Sequence, residues 1–369
     1  MNISPASISL LSLLVVAVLA APAEAQQPGP AGAAGERPTG TLLVVNKGEA
    51  TLSLVDLSTE EEITRIGTGE GPHEVAASPD GQRAVVTNYG TQQSPGNTLT
   101  VIDLERRESI ATIDLGEQTR PHGITWLPDE RRVAVTTEGN GTLTVVDVAT
   151  GRVETAIPTG QEVSHEVAVT PDGARAFVAN IGSGSVTVID LDAGRVLRQI
   201  ETGAGAEGID ITPDGSEVWV SNRAANTVSV IDVESLEVVG EMRSEDFPIR
   251  VVLTPAGDRA LVTNARSGEL RIFDVASRRE LAAVSIEPGD TRVTGRLLQF
   301  EGSAVPIGVQ AVPGSRYAYV AAANADVVAV VDLNAYRVVR LIEVGTEPDG
   351  LDYVPAVAAV PDDRRVRKW

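Results

Sequence analysis

The chain of 369 residues contains no cysteine. Disulfides, thiolate metal sites and lipidation on an N-terminal cysteine are thereby excluded. Aromatic residues make up only 3%, so any large core must be valine, alanine, isoleucine and leucine packed between sheets. Lysine occurs only at Lys47 and Lys368, and the remaining basic charge is arginine. The net charge of −21 argues against a nucleic-acid partner, whose phosphates an acidic surface repels. No G-x-S-x-G elbow, H-E-x-x-H helix or P-loop is present, which removes the commonest local signatures of hydrolases, zincins and nucleotide binders.

The apolar run at residues 8–20, ISLLSLLVVAVLA, is short of the roughly 20 residues a bilayer span needs. Ala23-Glu24-Ala25 follows it as an A-x-A cleavage signature, so residues 1–25 read as a secretory signal peptide. One departure is that residues 1–10 carry no Lys or Arg, which keeps an uncleaved anchor as the alternative. Residues 26–40, QQPGPAGAAGERPTG, read as a flexible linker, and residues 356–369, ending RRVRKW, as a basic tail. These features predict an exported protein, periplasmic or at the cell surface, with no integral span after cleavage.

What the sequence has in abundance is repetition. Residues 164–204 hold four short β-branched runs, EVAVT, RAFVAN, SVTVID and VLRQIETG, separated by Pro171-Asp172-Gly173, Gly182-Ser183-Gly184 and Asp192-Ala193-Gly194. Strand patterning between turn residues predicts a four-stranded antiparallel meander. The turn proline returns at Pro79, Pro128, Pro171, Pro213, Pro255, Pro313 and Pro355, mostly 42 to 49 residues apart. An aspartate closing the third strand returns at Asp56, Asp103, Asp147, Asp190, Asp232, Asp274 and Asp332. That period is one propeller blade, and stacking blades in a closed ring leaves few exposed edges. The expectation is an all-β, seven-bladed propeller over residues 41–355. Residues 41–46 match a second strand with no first strand before them, and residues 348–355 supply the missing one, which predicts 1+3 closure.

Two irregularities fall on one face: YGTQQSPGN at residues 89–97 and an insertion at residues 285–305, where Pro255 and Pro313 are 58 residues apart. Loops of this length inside compact domains are commonly lids or binding loops. The units SPDGQRAVVTN, TPDGARAFVAN and TPDGSEVWVSN, each followed by a TVSVID-like strand, resemble the YVTN-type β-propeller repeat family. The resemblance implies an exported protein whose motif residues are structural, on a fold shared with propeller lactonases. The seventh repeat is also similar to propellers associated with quinone-cofactor-dependent catabolism.

The seven aspartates, once per blade, read as acceptors of turn amides. Asn46, Asn88, Asn180, Asn222, Asn264 and Asn324 read as turn formers. The three histidines are more informative. His73, His122 and His165 share one repeat position, just before the first strand, and Glu207, Ile249, Ile307 and Asp349 align with them. First strands line a propeller's channel, so this ring of side chains stands at its mouth. Imidazoles converging there can hold a transition metal through His73, His122 and His165, or supply a general base. A seven-blade channel spaces equivalent atoms several ångströms apart, which works against three imidazoles on one ion. The adjacent position adds Glu74, Glu166 and Arg250, and strand alternation leaves open which set faces the axis. Arg120, Arg223 and Arg266 near this face offer charge for an anionic ligand.

The functional expectation is a non-enzymatic binding scaffold that needs no cofactor to fold. Its channel face would engage a protein, a cell-envelope component or a small molecule through His73, His122, His165, Glu207, Arg250 and Asp349. Three alternatives stand beside it. One is a lactonase-type hydrolase with His165, Glu207 and Arg250 as base, acid and carboxylate clamp; the others are a metal-binding propeller and an accessory protein of a periplasmic oxidation pathway.

Overall fold

In the computed structural model, Met1 and residues 37–287, 298 and 300–356 are described. The proposed signal peptide, most of the linker, most of the 285–305 insertion and the basic tail beyond Ala356 lie outside them. Among the described residues, twenty-eight strands form seven four-stranded antiparallel sheets, an all-β, seven-bladed propeller. Blade 1 is composite: Pro348–Val354 pairs with Thr41–Asn46, which continues to Thr51–Asp56 and Glu61–Gly67. The expected 1+3 closure is present, and it joins the two ends of the ring in one sheet. Among the described residues no helix is long and apolar enough to cross a membrane.

The scarcity of aromatics is explained by where the core lies. Each interface between neighbouring blades carries its own buried cluster, such as Trp219, Val228, Val251, Leu253 and Phe273 between blades 5 and 6. Small β-branched side chains suit two sheet faces pressed together. The outermost strands are mostly exposed, yet each keeps one buried anchor near its end: Ile66, Ile113, Ile157, Ile200, Met242, Val284 or Ile342. All seven third-strand aspartates accept a turn amide through Oδ1, from Ser58, Arg106, Thr150, Ala193, Ser235, Ser277 and Asn334. Their structural role is as expected.

The asparagines do something other than form turns. Asn46 donates to Thr51 Oγ1 at 2.9 Å and Ser53 Oγ at 2.7 Å, and Asn88 donates to Thr98 and Thr100 at 3.0 Å. Asn222 repeats this with Thr227 and Ser229. They are buried bolts between the second and third strands, using amide donors that a dry sheet interface must satisfy. Asn264 and Asn324 depart from the set: Asn264 donates to Val262 O of its own strand, and Asn324 lies beyond its strand Tyr317–Ala322 and donates to Leu298 O, each at 3.1 Å. The long loop at 89–97 is likewise mostly strand: Arg83–Gly90 and Pro95–Asp103 extend the hairpin, pairing Gly90 with Pro95.

The open question of alternation is answered by a bulge. In every blade the pairing of first and second strands slips just after the strand's entry, as between Pro72 and Val75, Pro121 and Ile124, and Ser164 and Val167. A bulge breaks strict alternation, so two consecutive residues can turn toward the axis. The amide it orphans is taken by a second-strand hydroxyl: Glu74 N to Thr87, Gly123 N to Thr136 and Gly208 N to Ser221, at 2.9 to 3.0 Å. The second of the two inward residues is glycine in blades 3, 5, 7 and 1, because the neighbouring backbone is too close for a Cβ. At Gly308 it would lie 2.1 Å from Asp349 O, and at Gly123 2.7 Å from His165 O.

This crowding gives a direct test. Gly308→Ala should lower unfolding free energy by about 1–3 kcal/mol or more in urea melts, as overpacking does. Gly67→Ala, where a Cβ meets nothing within 4 Å, should stay within about 0.5 kcal/mol. Equal stability of the two variants would refute the crowding.

Candidate channel-mouth site

Each first strand is entered through a residue with positive φ: Gly71, Arg120, Val163, Gly205, Phe247, Val305 and Glu347. The carbonyl of each accepts from an N–H at the end of the second strand of the same blade. The donors are Tyr89, Glu138, Ile181, Arg223, Ala265, Ala323 and Lys47, at 2.9 to 3.0 Å. That bond holds a second circle of side chains directly over the histidine ring. Sequence reasoning missed its members Lys47, Tyr89 and Glu138. The signal was available, since they occupy one repeat position at the end of the second strand, but it varies in every blade and mimics ordinary loop sequence.

The mouth is asymmetric. On blades 6 and 7, Ile249 and Ile307 are covered by Phe247, Leu298 and Phe300, with Val305, Ala265 and Ala323. Arg266 lies over both phenylalanine rings and pairs with Asp246 at 3.0 Å. On blades 2 to 4 the imidazoles touch in series: His73 and His122 have ring centroids 4.7 Å apart, His122 and His165 3.7 Å. The channel is therefore narrower than its blade number suggests. Over this polar arc lies a cavity of about 800 Å³, whose wall includes Lys47, Tyr89, Gln92, Arg120 and Glu138. The extended hairpin of blade 2 thus forms one side of the cavity, while Leu298 and Phe300 seal the opposite arc.

The three histidines differ electrically because their neighbours differ. His73 donates from Nδ1 to Gly71 O at 2.9 Å and accepts at Nε2 from the Lys47 ammonium at 2.7 Å. Burial and Lys47 hold its pKa well below the ordinary value, so it is neutral. His122 is also held low, by burial and by His165, and its Nδ1 donates to Glu166 Oε1 at 3.0 Å. Burial works against charge on His165 too. Hydrogen bonds to Glu138 and, at 3.4 Å, to Glu207 outweigh it and raise its pKa to about 10. Reciprocally, Glu138 is lowered to about 2 against its own burial, by His165 and by the Tyr89 hydroxyl that donates to its other oxygen.

Beneath the histidines, side chains from distant blades meet across the axis. Arg250 of blade 6 binds Glu74 of blade 2 and reaches Glu166 of blade 4 at 3.1 Å. Burial works against the Arg250 charge, but Glu166 and Glu74 push its pKa up. Burial raises Glu74 and Asp349 above the ordinary carboxyl range, Arg250 and Lys47 respectively opposing it most. Arg223 holds Glu207 at 2.9 Å. All the sequence-nominated residues thus converge on the mouth, but Arg250 and Asp349 are buried in its floor. Of the three arginines nominated for an anion, Arg223 and Arg266 are paired to carboxylates, while Arg120 stacks over Tyr89 at 5.0 Å in the cavity wall. Among the described residues two groups of possible metal donors form: His122, Glu138 and His165, and Glu74, His122 and Glu166, each set within 4.8 Å. His73 joins neither.

The charge on His165 sets a pH dependence. A folded pKa raised above about 6.5 contributes stability fully present below that value and lost progressively as pH rises through about 10. Unfolding free energy should decline between pH 7 and 9.5 by up to about 1.4 kcal/mol per unit from this group. His165→Gln should flatten that decline in urea titrations at each pH. An unchanged slope would place the proton elsewhere.

Compared with known proteins, residues 159–294 match the family model of YNCE-like beta-propellers, covering blades 4 to 6. No curated protein matches the chain. Among solved structures, Kuenenia stuttgartiensis hydrazine synthase superposes with a TM-score of 0.65 at 20% identity, over 76% of this chain and 88% of that one. A functionally unknown protein from Desulfotomaculum acetoxidans superposes with a TM-score of 0.70 at 17% identity, over 85% and 99%. Identities this low speak to fold alone. The chain is thus similar to YNCE-like beta-propellers over residues 159–294, and it shares its fold with both solved structures.

Proposed function

We propose that the protein is an exported, non-enzymatic binding propeller that takes up a small polar ligand at its channel mouth. The observation that carries this reading is the cavity of about 800 Å³ over the histidine arc. Its size falls in the range of small-molecule sites, roughly 300–1,000 Å³, and its polar groups converge from several blades. A concave polar wall favours a small molecule over a protein or cell-envelope component, for which a broad face with an apolar centre would be expected. Tyr89 and Arg120 form the wall that a ligand would meet first, and neither belongs to the ion pairs of the floor.

The lactonase reading has less support. His165 as base would have to accept a proton, yet it already carries one between Glu138 and Glu207. Arg250 as clamp would have to release Glu74 and Glu166. Nothing in the site favours an accessory role in an oxidation pathway over simple binding. Export rests on the apolar run and Ala23-Glu24-Ala25, and mass spectrometry of the protein from its native envelope should find Gln26 as the first residue. An intact Met1 terminus would refute cleavage.

The binding reading is tested by ligand-observed NMR and thermal shift against a panel of small carboxylates, amines and sugars, in chelator-treated protein. A binder is expected whose signal falls at least tenfold in Tyr89→Ala and Arg120→Ala. Absence of any binder, or binders indifferent to both substitutions, would overturn it.

A further inference from the structure

The floor of the cavity contains a second chemistry. We propose that His122, His165 and Glu138 form a site for a divalent transition-metal ion, with an open coordination position facing the cavity. The three side chains bring one donor atom each within 4.8 Å of the others, and both imidazoles are buried, at 4% and 8% exposure.

The stronger argument lies behind the donors. A metal-binding histidine characteristically gives its other ring N–H to a carboxylate, which fixes its orientation. Here both do so. His122 Nδ1 is taken by Glu166, which leaves Nε2 as its donor nitrogen. His165 Nε2 faces Glu207 at 3.4 Å, and its Nδ1 is on the Glu138 side. The two orienting carboxylates are themselves fixed, Glu166 by Arg250 at 3.1 Å and Glu207 by Arg223 at 2.9 Å. Glu138 is steadied by the Tyr89 hydroxyl on its second oxygen. Each donor is thus aimed by a partner from a different part of the repeat.

The same geometry rejects the other arrangements. His73 has both nitrogens in use, and the Lys47 ammonium at 2.7 Å repels a cation there. In the second donor group, the Arg250 guanidinium already occupies the cationic place between Glu74 and Glu166. Without metal, the His165 proton lies between the imidazole and Glu138; a dication takes its place and the proton leaves to solvent. Two nitrogens and one oxygen suit Zn, Co, Ni, Cu or Fe, whereas Ca and Mg prefer all-oxygen shells.

This inference uses the cavity but does not depend on ligand uptake, which is measured on chelated protein and fails or succeeds separately. The test is equilibrium dialysis of the full chain, first stripped with chelator, against Zn(II) or Cu(II), followed by elemental analysis. Stoichiometric retention is expected, with two-nitrogen coupling in the Cu(II) electron paramagnetic resonance spectrum and none retained from Mg(II). Glu138→Gln and His122→Ala should lose the ion, Glu166→Gln should weaken it about 10–100-fold, and His73→Ala should keep it. Thermal melts of the metal-free variants establish that Glu138→Gln, nearly isosteric, is folded. No retention by the natural chain, retention unaffected by Glu138→Gln and His122→Ala, or loss in His73→Ala alone would each overturn the proposal.

Discussion

Seven inner strands brought to a single axis crowd one another's backbones, and the character of the channel follows from that crowding. Where blades approach most closely no Cβ fits, hence Gly123, Gly208, Gly308 and Gly350. Where there is room, the same position carries Glu74, Glu166 and Arg250, which reach across the axis to one another. The bulge that turns two consecutive residues inward would strand an amide in a dry interior. Thr87, Thr136 and Ser221 accept those amides. The channel mouth is thereby crossed by paired side chains from several blades.

The repeat divides its positions between two tasks. The turn aspartates, the asparagine bolts and the single apolar anchor of each outer strand recur because each blade faces the same packing problem. The entry residue of each first strand also recurs in conformation, with positive φ even at Val163, Phe247 and Val305. A left-handed conformation at such residues is uncommon and costs steric energy. Its return in all seven blades shows how firmly the entry geometry is imposed. The residues that vary are those that this frame lifts over the axis, and there the mouth acquires its difference between a polar and an apolar arc.

Identical imidazoles in equivalent positions end in different protonation states. His73 meets a carbonyl and an ammonium, His122 a single carboxylate beside a charged ring, and His165 two carboxylates. Burial alone would neutralise all three; only the third has enough opposing charge to overcome it. Position in the repeat places a histidine at the mouth, and its neighbours decide what it can do there.

The sequence by itself determined the blades, their number, the closure and the shared position of the histidines. Those features are local: strand alternation, turn chemistry and a fixed period are all written within some forty residues. It also pointed to Glu207, Arg250 and Asp349 as companions, because alignment of repeats is alignment of positions in a ring. What only the tertiary structure decided was which side chains meet. Glu138, Tyr89 and Lys47 come from the ends of second strands and reach the histidines through a backbone bond that sequence spacing does not reveal. Arg250 and Glu74, 176 residues apart, meet because the ring closes. Asn46, Asn88 and Asn222, read locally as turn formers, became interior bolts for the same reason: burial, set by neighbouring blades, decides whether an amide faces water or must find its partner within the sheet.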